Sequence, residues 1–242
     1  MPDIILKSDI DVNLIQSTGG DNMVVAAAKV STTGVEAKEL NRPDKSEVNF
    51  GLINYLMKHR HGTPFEHNMM TFFINAPIFV WREWHRHRIG FSYNEESARY
   101  RKLDPVFYVP ESDRPMIKRD GWKAGKPKFD LAPARTVSDL TYDMTLLYED
   151  AYSRYAYHLR NNIDPGLARD LLPVGIYSSC WVTCNARSLM SFLSLRTHNP
   201  NSQFVSYPLR EIEMAAEKCE AIFSELYPLT HRAFEDNGRV AP

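Results

Sequence analysis

The chain has 242 residues, of which 43% are hydrophobic and 24% are charged, so it is long enough to bury a substantial core. Its 29 Lys and Arg residues nearly balance 30 Asp and Glu residues. The resulting net charge of -1 excludes a global field that attracts nucleic acid or membranes. Three cysteines are too few for a disulfide framework, and no apolar run reaches the roughly 18 residues of a membrane span. Since the N-terminal residues also lack the pattern of a secretory leader, we expect a cytoplasmic protein.

The N-terminal half predicts strands and helices in mixed order. A strand is expected from Ile4 to Ile15, and a helix near Asp21–Val30. A second helix is predicted over Ser46–His59, where apolar residues form one broad face, and a turn at His61–Pro64 ends it. Aromatic and β-branched residues predict a strand from Met69 to Trp81, with its internal proline at an edge or bulge.

Three histidines near this turn are the nearest approach to a metal-ligand motif. His59, His61 and His67 do not follow a known zinc spacing, and Cys180 and Cys184 lack a second ligand pair. The sequence therefore predicts no metal site.

The C-terminal half begins with an irregular excursion. Residues 104–135 are rich in proline and in basic residues, which indicates a long loop that is either solvated or in contact with a polyphosphate. Beyond it we predict a helix over Val137–Leu159, a short helix from Asp164 to Pro173, an extended segment over Ile176–Val182, a helix from the N-cap Asn185 to near Thr197, and a final helix over Leu209–Leu226. Helices flanking several strands predict a mixed α/β chain that forms a single domain over residues 1–242.

The segment from Arg86 to Tyr100 concentrates arginines, a histidine, carboxylates and hydroxyls. Guanidinium groups offer paired donors that match phosphate oxygens, whereas Glu95 and Glu96 argue against a simple polyanion-binding surface. Closely spaced aromatic residues disfavour a solvated charged helix, while an RNA-binding patch and an oligomer interface are alternatives. The pattern favours a shaped pocket for a small phosphorylated molecule.

Two further arginines have ambiguous settings. Arg196 falls on the apolar stripe formed by Leu189, Phe192 and Leu193, so it either reaches water, meets an anionic partner, or faces carbonyls at the end of its helix. Arg169 stands beside an aspartate in a short helix, an arrangement typical of a surface ion pair.

Several motifs together resemble a known family. Arg86-His87-Arg88, followed after eight residues by Ser97-Ala98-Arg99-Tyr100, resembles the signature of the flavin-dependent thymidylate synthases. Other blocks resemble the same family in the same order: Thr63-Pro64-Phe65-Glu66-His67, Ala76-Pro77-Ile78-Phe79-Val80, Asn185-Ala186-Arg187-Ser188-Leu189-Met190 and Leu195-Arg196. The resemblance implies mixed α/β subunits with a central antiparallel-rich sheet flanked by helices. It also implies a homotetramer with active sites where subunits meet.

The same resemblance implies reductive methylation of dUMP to dTMP. The expected one-carbon donor is 5,10-methylenetetrahydrofolate, and the expected hydride source is FAD reduced by NADPH. Because the family lacks a cysteine nucleophile, Arg196 is implied as the catalytic residue that stabilises negative charge on the pyrimidine. Another flavin- or nucleotide-binding protein on this scaffold, or a single-stranded RNA-binding protein, is the alternative.

The resemblance also assigns binding residues. The implied cofactor contacts are Ser31, Thr63, Arg86, His87, Arg88, Glu95, Asn185, Ala186, Arg187, Ser191 and Asn201, with His198 as the alternative to Asn201. The implied nucleotide contacts are Glu83, Trp84, His85, Arg86, Glu95, Glu96, Ser97, Ala98, Arg99, Arg169 and Arg196.

Overall fold

The computed structural model describes residues 3–40 and 47–242. Within them the chain forms two compact units, each assembled from three separate stretches of sequence. The first unit contains the described parts of Met1–Asp11, Asn75–His85 and Glu95–Cys180, and the second contains those of Val12–Ile74, Arg86–Asn94 and Trp181–Pro242. The single domain over residues 1–242 stays a prediction.

Strands form one larger sheet and two short ribbons. The described strands are β1 Ile5–Lys7, β2 Asp11–Thr18, β3 Met69–Pro77, β4 Phe91–Glu95, β5 Val106–Tyr108, β6 Ile117–Lys118, β7 Phe129–Asp130 and β8 Tyr177–Cys184. The larger sheet has the order β2-β3-β8-β4. Strand β1 pairs in parallel with β5, and β6 pairs in antiparallel orientation with β7.

Side-chain pairs give the relative direction of strands β3 and β8. The Thr71 and Thr183 hydroxyls are 3.0 Å apart, and the rings of Phe73 and Trp181 are 5.6 Å apart. Residue numbers therefore rise along one strand as they fall along the other, which is antiparallel pairing. This pairing confirms the predicted mixed α/β fold with an antiparallel sheet.

Eight α-helices are found in the described residues. They are α1 Asp21–Thr33, α2 Glu47–Lys58, α3 Ile78–Trp84, α4 Ala134–Arg160, α5 Pro165–Ala168, α6 Ala186–Arg196, α7 Arg210–Leu226 and α8 Pro228–Asp236. Short 3₁₀ turns span Gly34–Leu40, Thr63–Glu66 and Arg169–Leu171. Over the residues that the structure describes, no helix is long and apolar enough to cross a bilayer.

Helix α6 begins and packs as its sequence predicts. The Asn185 side-chain oxygen accepts a hydrogen bond of 2.8 Å from the Ser188 N–H, which satisfies one of the first-turn donors of the helix. Leu189, Phe192 and Leu193 are all buried, so the predicted apolar stripe is confirmed. The helix is thereby fixed at its start and along one face, ahead of Arg196 at its end.

The strand predicted from Met69 to Trp81 is wrong in its second half. Strand β3 stops at Pro77, and helix α3 begins at Ile78. The Trp81 indole N–H donates to the carbonyls of Ala76 and Ser178 at 3.1 and 3.0 Å, which holds the helix against the strand ends. An apolar run of this length is compatible with either element, and only these contacts decide between them.

Two further predictions need correction, and one predicted helix start is not tested by the described residues. The strand expected from Ile4 to Ile15 is divided into β1 and β2, and between them the Asp9 carbonyl accepts a hydrogen bond of 2.7 Å from the Tyr177 side chain. The predicted final helix is α7, and a further helix, α8, follows it from Pro228, a residue well suited to a first helical position. The start predicted at Ser46 lies outside the described residues.

The excursion at 104–135 is less irregular than predicted. It contains β5, β6 and β7, and its beginning is fixed to helix α4 by tyrosines. The Tyr148 hydroxyl donates to the Tyr108 carbonyl at 3.0 Å, and the Tyr152 hydroxyl donates to the Leu103 carbonyl at 2.7 Å. Phe107 is fully buried against both rings, so this part of the excursion belongs to the core of the first unit.

Candidate functional site

A cavity of about 520 Å³ in the first unit contains two adjacent carboxylates, and we refer to it as the carboxylate pocket. Five residues that the sequence assigns to the nucleotide line it: Glu95, Glu96, Ser97, Ala98 and Arg169. The other lining residues are Ile78, Leu103, Asp170, Leu172 and Ser178. The pocket therefore combines hydrogen-bond acceptors, one hydroxyl-bearing turn, a guanidinium and an apolar wall.

Strand β8 holds both carboxylates in place. The buried Ser178 hydroxyl donates to Glu95 Oε1 at 2.6 Å, and the Ser179 main-chain N–H donates to Glu96 Oε1 at 2.7 Å. Arg101 Nη1 is 3.4 Å from Glu96 Oε2. Hydrogen bonds to a charged acceptor are about twice as strong as neutral ones, so these contacts restrict how each carboxylate points.

A tight turn follows the carboxylates. The N–H groups of Tyr100 and Arg101 donate to the Ser97 carbonyl at 2.9 and 3.2 Å, and this turn buries Ala98 while leaving Arg99 exposed. On the other side of the pocket, Arg169 directly follows helix α5. Arg169 is exposed, as expected for a surface residue, and it lines the pocket wall beside Asp170.

A second cavity, of about 330 Å³, lies within the second unit, and we refer to it as the arginine pocket. The loop after helix α3 contributes Arg86, His87 and Arg88, and the facing helix α6 contributes Ser191 and Arg196. These are five of the predicted cofactor and substrate residues. Ile89, Phe91, Ser188 and Leu195 complete the lining.

His87 and Arg196 are joined inside the arginine pocket. Arg196 Nε–H donates to His87 Nε2 at 3.0 Å. Burial and the positive charge of Arg196 lower the pKa of His87 from 6.5 to about 4, so the imidazole is neutral near pH 7 and its Nε2 lone pair is available. The ring centroid of Phe192 lies 5.0 Å from that of His87 in an edge-on arrangement, and the Tyr93 hydroxyl donates to the His87 carbonyl at 2.5 Å.

Gly90 brings the arginine-bearing loop close to helix α6. Its backbone φ is +69°, a left-handed conformation that residues other than glycine rarely adopt. A Cβ at this position would collide with the Ser188 hydroxyl and lie 3.1 Å from the Asn185 amide nitrogen. The close approach therefore requires glycine on both conformational and steric grounds.

Other predicted site residues lie outside both pockets. Trp84 is buried in the core, the His85 ring stacks on Trp81 with centroids 5.8 Å apart, and the Arg99 guanidinium lies 5.4 Å from the Tyr100 ring. Arg187 contacts Glu66 at 2.5 Å and donates to the Pro242 carbonyl at 2.6 Å. Neither lining set includes Ser31, Thr63, Glu83, Asn185, Ala186, His198 or Asn201. Their roles stay predictions.

Two serines were missed by sequence reasoning. Ser178 occupies the same buried side of β8 as Cys180, where a polar residue on an apolar strand face is a signal that could have been used. Ser188, nearly buried in the first turn of α6, faces the arginine pocket and touches the position of Gly90. Its pairing with Gly90 depends on contacts distant in sequence, for which no local pattern exists.

All three cysteines are free and buried. Burial raises the pKa of Cys184 to about 12, and it raises that of Cys219 well above the ordinary value, where the neighbouring Cys184 adds to the effect. A thiol nucleophile must be both deprotonated and accessible. Cys184 and Cys219 meet neither condition, and Cys180 is buried.

A polar cluster near the end of the second unit has a guanidinium at its centre. Glu220, His231 and Glu235 present their ligand atoms within 4.8 Å of one another. Arg239 is only 5% exposed; it donates to Glu220 at 2.6 and 2.8 Å and also to Glu235. It further donates to the Thr197 hydroxyl at 2.7 Å, next to the end of helix α6. The cluster thus connects the last two helices with the helix that ends at Arg196.

Comparisons with known proteins agree over nearly the whole chain. The family model described as thymidylate synthase complementing protein matches residues 13–229. A flavin-dependent thymidylate synthase of Streptomyces coelicolor is 51% identical, spanning 100% of this chain and 97% of the relative, and one of Tropheryma whipplei is 46% identical over 99% and 98%. A UMP/dUMP methylase, PolB from Streptomyces cacaoi, solved with 5-Br UMP, superposes with a TM-score of 0.89 at 45% identity, covering 99% of this chain and 100% of that chain.

Proposed function

This chain belongs to the family of the flavin-dependent thymidylate synthases, and from that premise we propose that it methylates dUMP to dTMP with 5,10-methylenetetrahydrofolate as the one-carbon donor and NADPH as the reductant. It is a flavoenzyme of the methyltransferase class. The observation that carries the proposal is the joint placement of the Arg-His-Arg triplet and Arg196 in one pocket. The triplet and Arg196 both belong to the motifs by which this chain resembles the family.

We propose that the carboxylate pocket binds the nucleotide. Arg169 supplies a guanidinium for phosphate, while the Ser97 turn offers a hydroxyl and main-chain groups. Glu95 and Glu96 are acceptors for the hydroxyl and N–H groups of a sugar and a base. The acidic residues that argue against polyanion binding thus suit a ligand in which only one end is anionic.

We propose Arg196 as the catalytic residue; in a homotetramer with shared active sites, it acts on a nucleotide held in the carboxylate pocket of a neighbouring subunit. Methyl transfer to C5 of uracil requires that carbon to become nucleophilic, and negative charge then develops on N3 and O4. A fixed guanidinium stabilises this charge without changing its own protonation state. The buried thiols described above support a route without covalent attack by cysteine at C6.

The side chains of the arginine pocket fit a flavin dinucleotide. Arg86, Arg88 and the two serines Ser188 and Ser191 present donors for diphosphate oxygens, and Phe91 presents an apolar ring for a planar heterocycle. The chemistry that FAD supplies when bound is hydride transfer. Under this proposal the remaining cofactor contacts assigned by the family resemblance are Ser31, Thr63, His87, Glu95, Asn185, Ala186, Arg187 and Asn201.

Tritium release from dUMP labelled at C5 tests the proposed reaction directly. With methylenetetrahydrofolate and NADPH present, wild type should release tritium, and Arg196→Ala should lower kcat by about 10²–10³-fold because one preorganised charge is lost. Arg196→Lys is the matched control, since it keeps the charge but not the planar fork. Absence of release by wild-type, flavin-loaded protein would overturn the proposed function.

Methylation of UMP is a second candidate, favoured by one observation. The superposable PolB is described as a UMP/dUMP methylase, and it has been solved with both 5-Br UMP and 5-Br dUMP. We expect dUMP to be preferred, because the relatives at 46–51% identity are named thymidylate synthases. The ratio of the kcat/KM values for labelled dUMP and labelled UMP measures which nucleotide is preferred. A preference for UMP would assign the chain to ribonucleotide methylation.

A homotetramer with shared active sites is also proposed. Helix α4 supports it, because Leu140, Tyr142 and Leu147 on this helix are exposed although they are large and apolar. Light scattering should give a mass near four times the 27.9 kDa of one chain. A monomer at the concentrations of the activity assay would contradict active sites built between subunits.

A further inference from the structure

We propose that His87 is a positioning residue for catalysis, whose Nε2 lone pair fixes the guanidinium plane of Arg196 beneath the reacting base. The inference deepens the proposed function and depends on it. It concerns a contact between two side chains of the same chain, in addition to any contact that His87 makes with the cofactor. Its basis is the hydrogen bond of 3.0 Å from Arg196 Nε–H to His87 Nε2.

The direction of this hydrogen bond defines the state of the imidazole. A guanidinium can only donate, so Nε2 must carry a lone pair, and the ring proton resides on Nδ1. Burial and the Arg196 charge keep the ring neutral, since both lower its pKa to about 4. Arg86 and Arg88 also line the arginine pocket, and positive charges near an imidazole favour its neutral form.

The surroundings also fix the ring itself. Phe192 from helix α6 and Phe91 from strand β4 contact His87 with centroid distances of 5.0 and 6.3 Å, both in edge-on arrangements. The Tyr93 hydroxyl binds the His87 carbonyl, which limits movement of the backbone. His87 is therefore a rigid acceptor rather than a surface side chain that happens to meet Arg196.

The chemical consequence concerns how a guanidinium is oriented. Nε–H lies in the plane of the guanidinium group, so a hydrogen bond at this atom restricts the directions in which the plane can point. Charge stabilisation at N3 and O4 of the pyrimidine depends on that orientation, and a displacement near 1 Å at a reacting group can cost about 10²-fold in rate. A rigid neutral acceptor orients the guanidinium and leaves its positive charge intact. A carboxylate in the same place would neutralise that charge.

A comparison of two substitutions tests the inference. His87→Phe keeps a planar ring but removes the acceptor, whereas His87→Gln provides an amide oxygen that accepts from Nε–H. For tritium release from dUMP, we expect kcat of the Phe variant to be at least 10-fold below that of the Gln variant, with similar KM. Flavin content, read from visible absorbance, is measured for both, and kcat is expressed per bound flavin. Equal kcat values in the two variants would overturn the inference.

A double-mutant cycle distinguishes a route through Arg196 from a general structural effect. If His87 acts through Arg196, then His87→Phe lowers kcat in the wild-type background but has little further effect in Arg196→Ala. The same loss in both backgrounds would show that His87 acts elsewhere. Loss of tritium release by the wild type would instead refute the proposed function, so the two failures are separate outcomes.

Discussion

At the scale of single residues, Ser178 determines how Glu95 points into the carboxylate pocket. Its buried hydroxyl donates a bond of 2.6 Å to the carboxylate, and loss of a hydrogen bond to a charged group costs about 1.5–3 kcal/mol. Because Glu95 is exposed on its other side, solvent should recover part of this cost. We predict that Ser178→Ala raises the KM for dUMP by about 5–10-fold and changes kcat less, as steady-state tritium release would report.

The neighbouring Ser179 provides the matched control. Its main-chain N–H holds Glu96, and its side chain accepts instead from Asn75 at 2.9 Å. Ser179→Ala keeps the main-chain donor, so KM for dUMP should stay within about twofold of wild type, in line with the usual size of effects away from a site. A KM that responds equally to both substitutions would argue against a specific role of the Ser178 hydroxyl.

At the scale of elements, Gly90 sets the distance between the Arg-His-Arg loop and helix α6. We predict that Gly90→Ala displaces this loop, because the new methyl group adds a collision with Ser188 to the strain of a positive φ. Tritium release should fall by about 10-fold or more, and flavin content should fall with it, since misplacement of site residues is costly.

Gly121→Ala separates strain from collision. Gly121 also has a positive φ, of +76°, but nothing lies within 4 Å of the position of a new Cβ. Its substitution should cost about 1–2 kcal/mol of local conformational energy and leave flavin content and tritium release intact. If both alanine variants lose flavin to the same degree, close packing against helix α6 is not what Gly90 provides.

The sequence predicts well those helices and strands that have a local sequence signal, such as a capping residue or a periodic apolar face. Helix α6 has a side-chain cap and a periodic apolar face, and both are found as expected. The change from β3 to α3 at Pro77 has no such local signal, because the apolar residues around it suit a strand and a helix equally. The helix is instead held by long-range hydrogen bonds of the Trp81 indole. Helix α8 was not predicted, although the proline at its start is favoured at a first helical position.

At the scale of the whole molecule, the candidate site is only partly readable from sequence. Spacing alone indicates a pocket for a phosphorylated ligand in the segment from Arg86 to Tyr100, and the family resemblance supplies the reaction. The resemblance also divides the segment, with Arg86 to Arg88 mainly at the flavin and Ser97 to Arg99 at dUMP, and in the structure Arg86 and His87 line one cavity while Glu95 to Ala98 line another. The partners of these groups, Ser178 and Arg196, are about 80 to 110 residues away along the chain, and only folding brings them near.

The stability of the whole molecule should depend on the cluster around Arg239. Removal of one partner from a buried ion pair costs about 3–5 kcal/mol, because the remaining charges are left uncompensated. We therefore predict that Arg239→Ala lowers the free energy of unfolding in urea by an amount of this order at pH 7. Arg135→Ala is the control: its guanidinium is exposed, lies 3.8 Å from Asp139, and should contribute less than about 0.5 kcal/mol.

The same cluster gives the protein a defined loss of stability in acid. Burial tends to raise the pKa of Glu220, but hydrogen bonds from His231 and Arg239 outweigh it and lower the pKa from 4.5 to about 2. Since the folded pKa lies below the unfolded value, the carboxylate stabilises the fold above pH 4.5, and this contribution is lost as the pH falls toward 2. The shift corresponds to roughly 3 kcal/mol, because one pKa unit equals about 1.4 kcal/mol and the side chain is largely buried.

Urea unfolding at a series of pH values between 7 and 2 measures this contribution. Wild type and Glu220→Gln should differ most above pH 4.5, and their free energies of unfolding should converge as the acid form of Glu220 is reached. The glutamine variant loses the charge but keeps an acceptor for Arg239, so convergence reports the ionised carboxylate rather than the shape of the side chain. A difference that stays constant down to pH 2 would mean that Arg239 does not depend on the charge of Glu220.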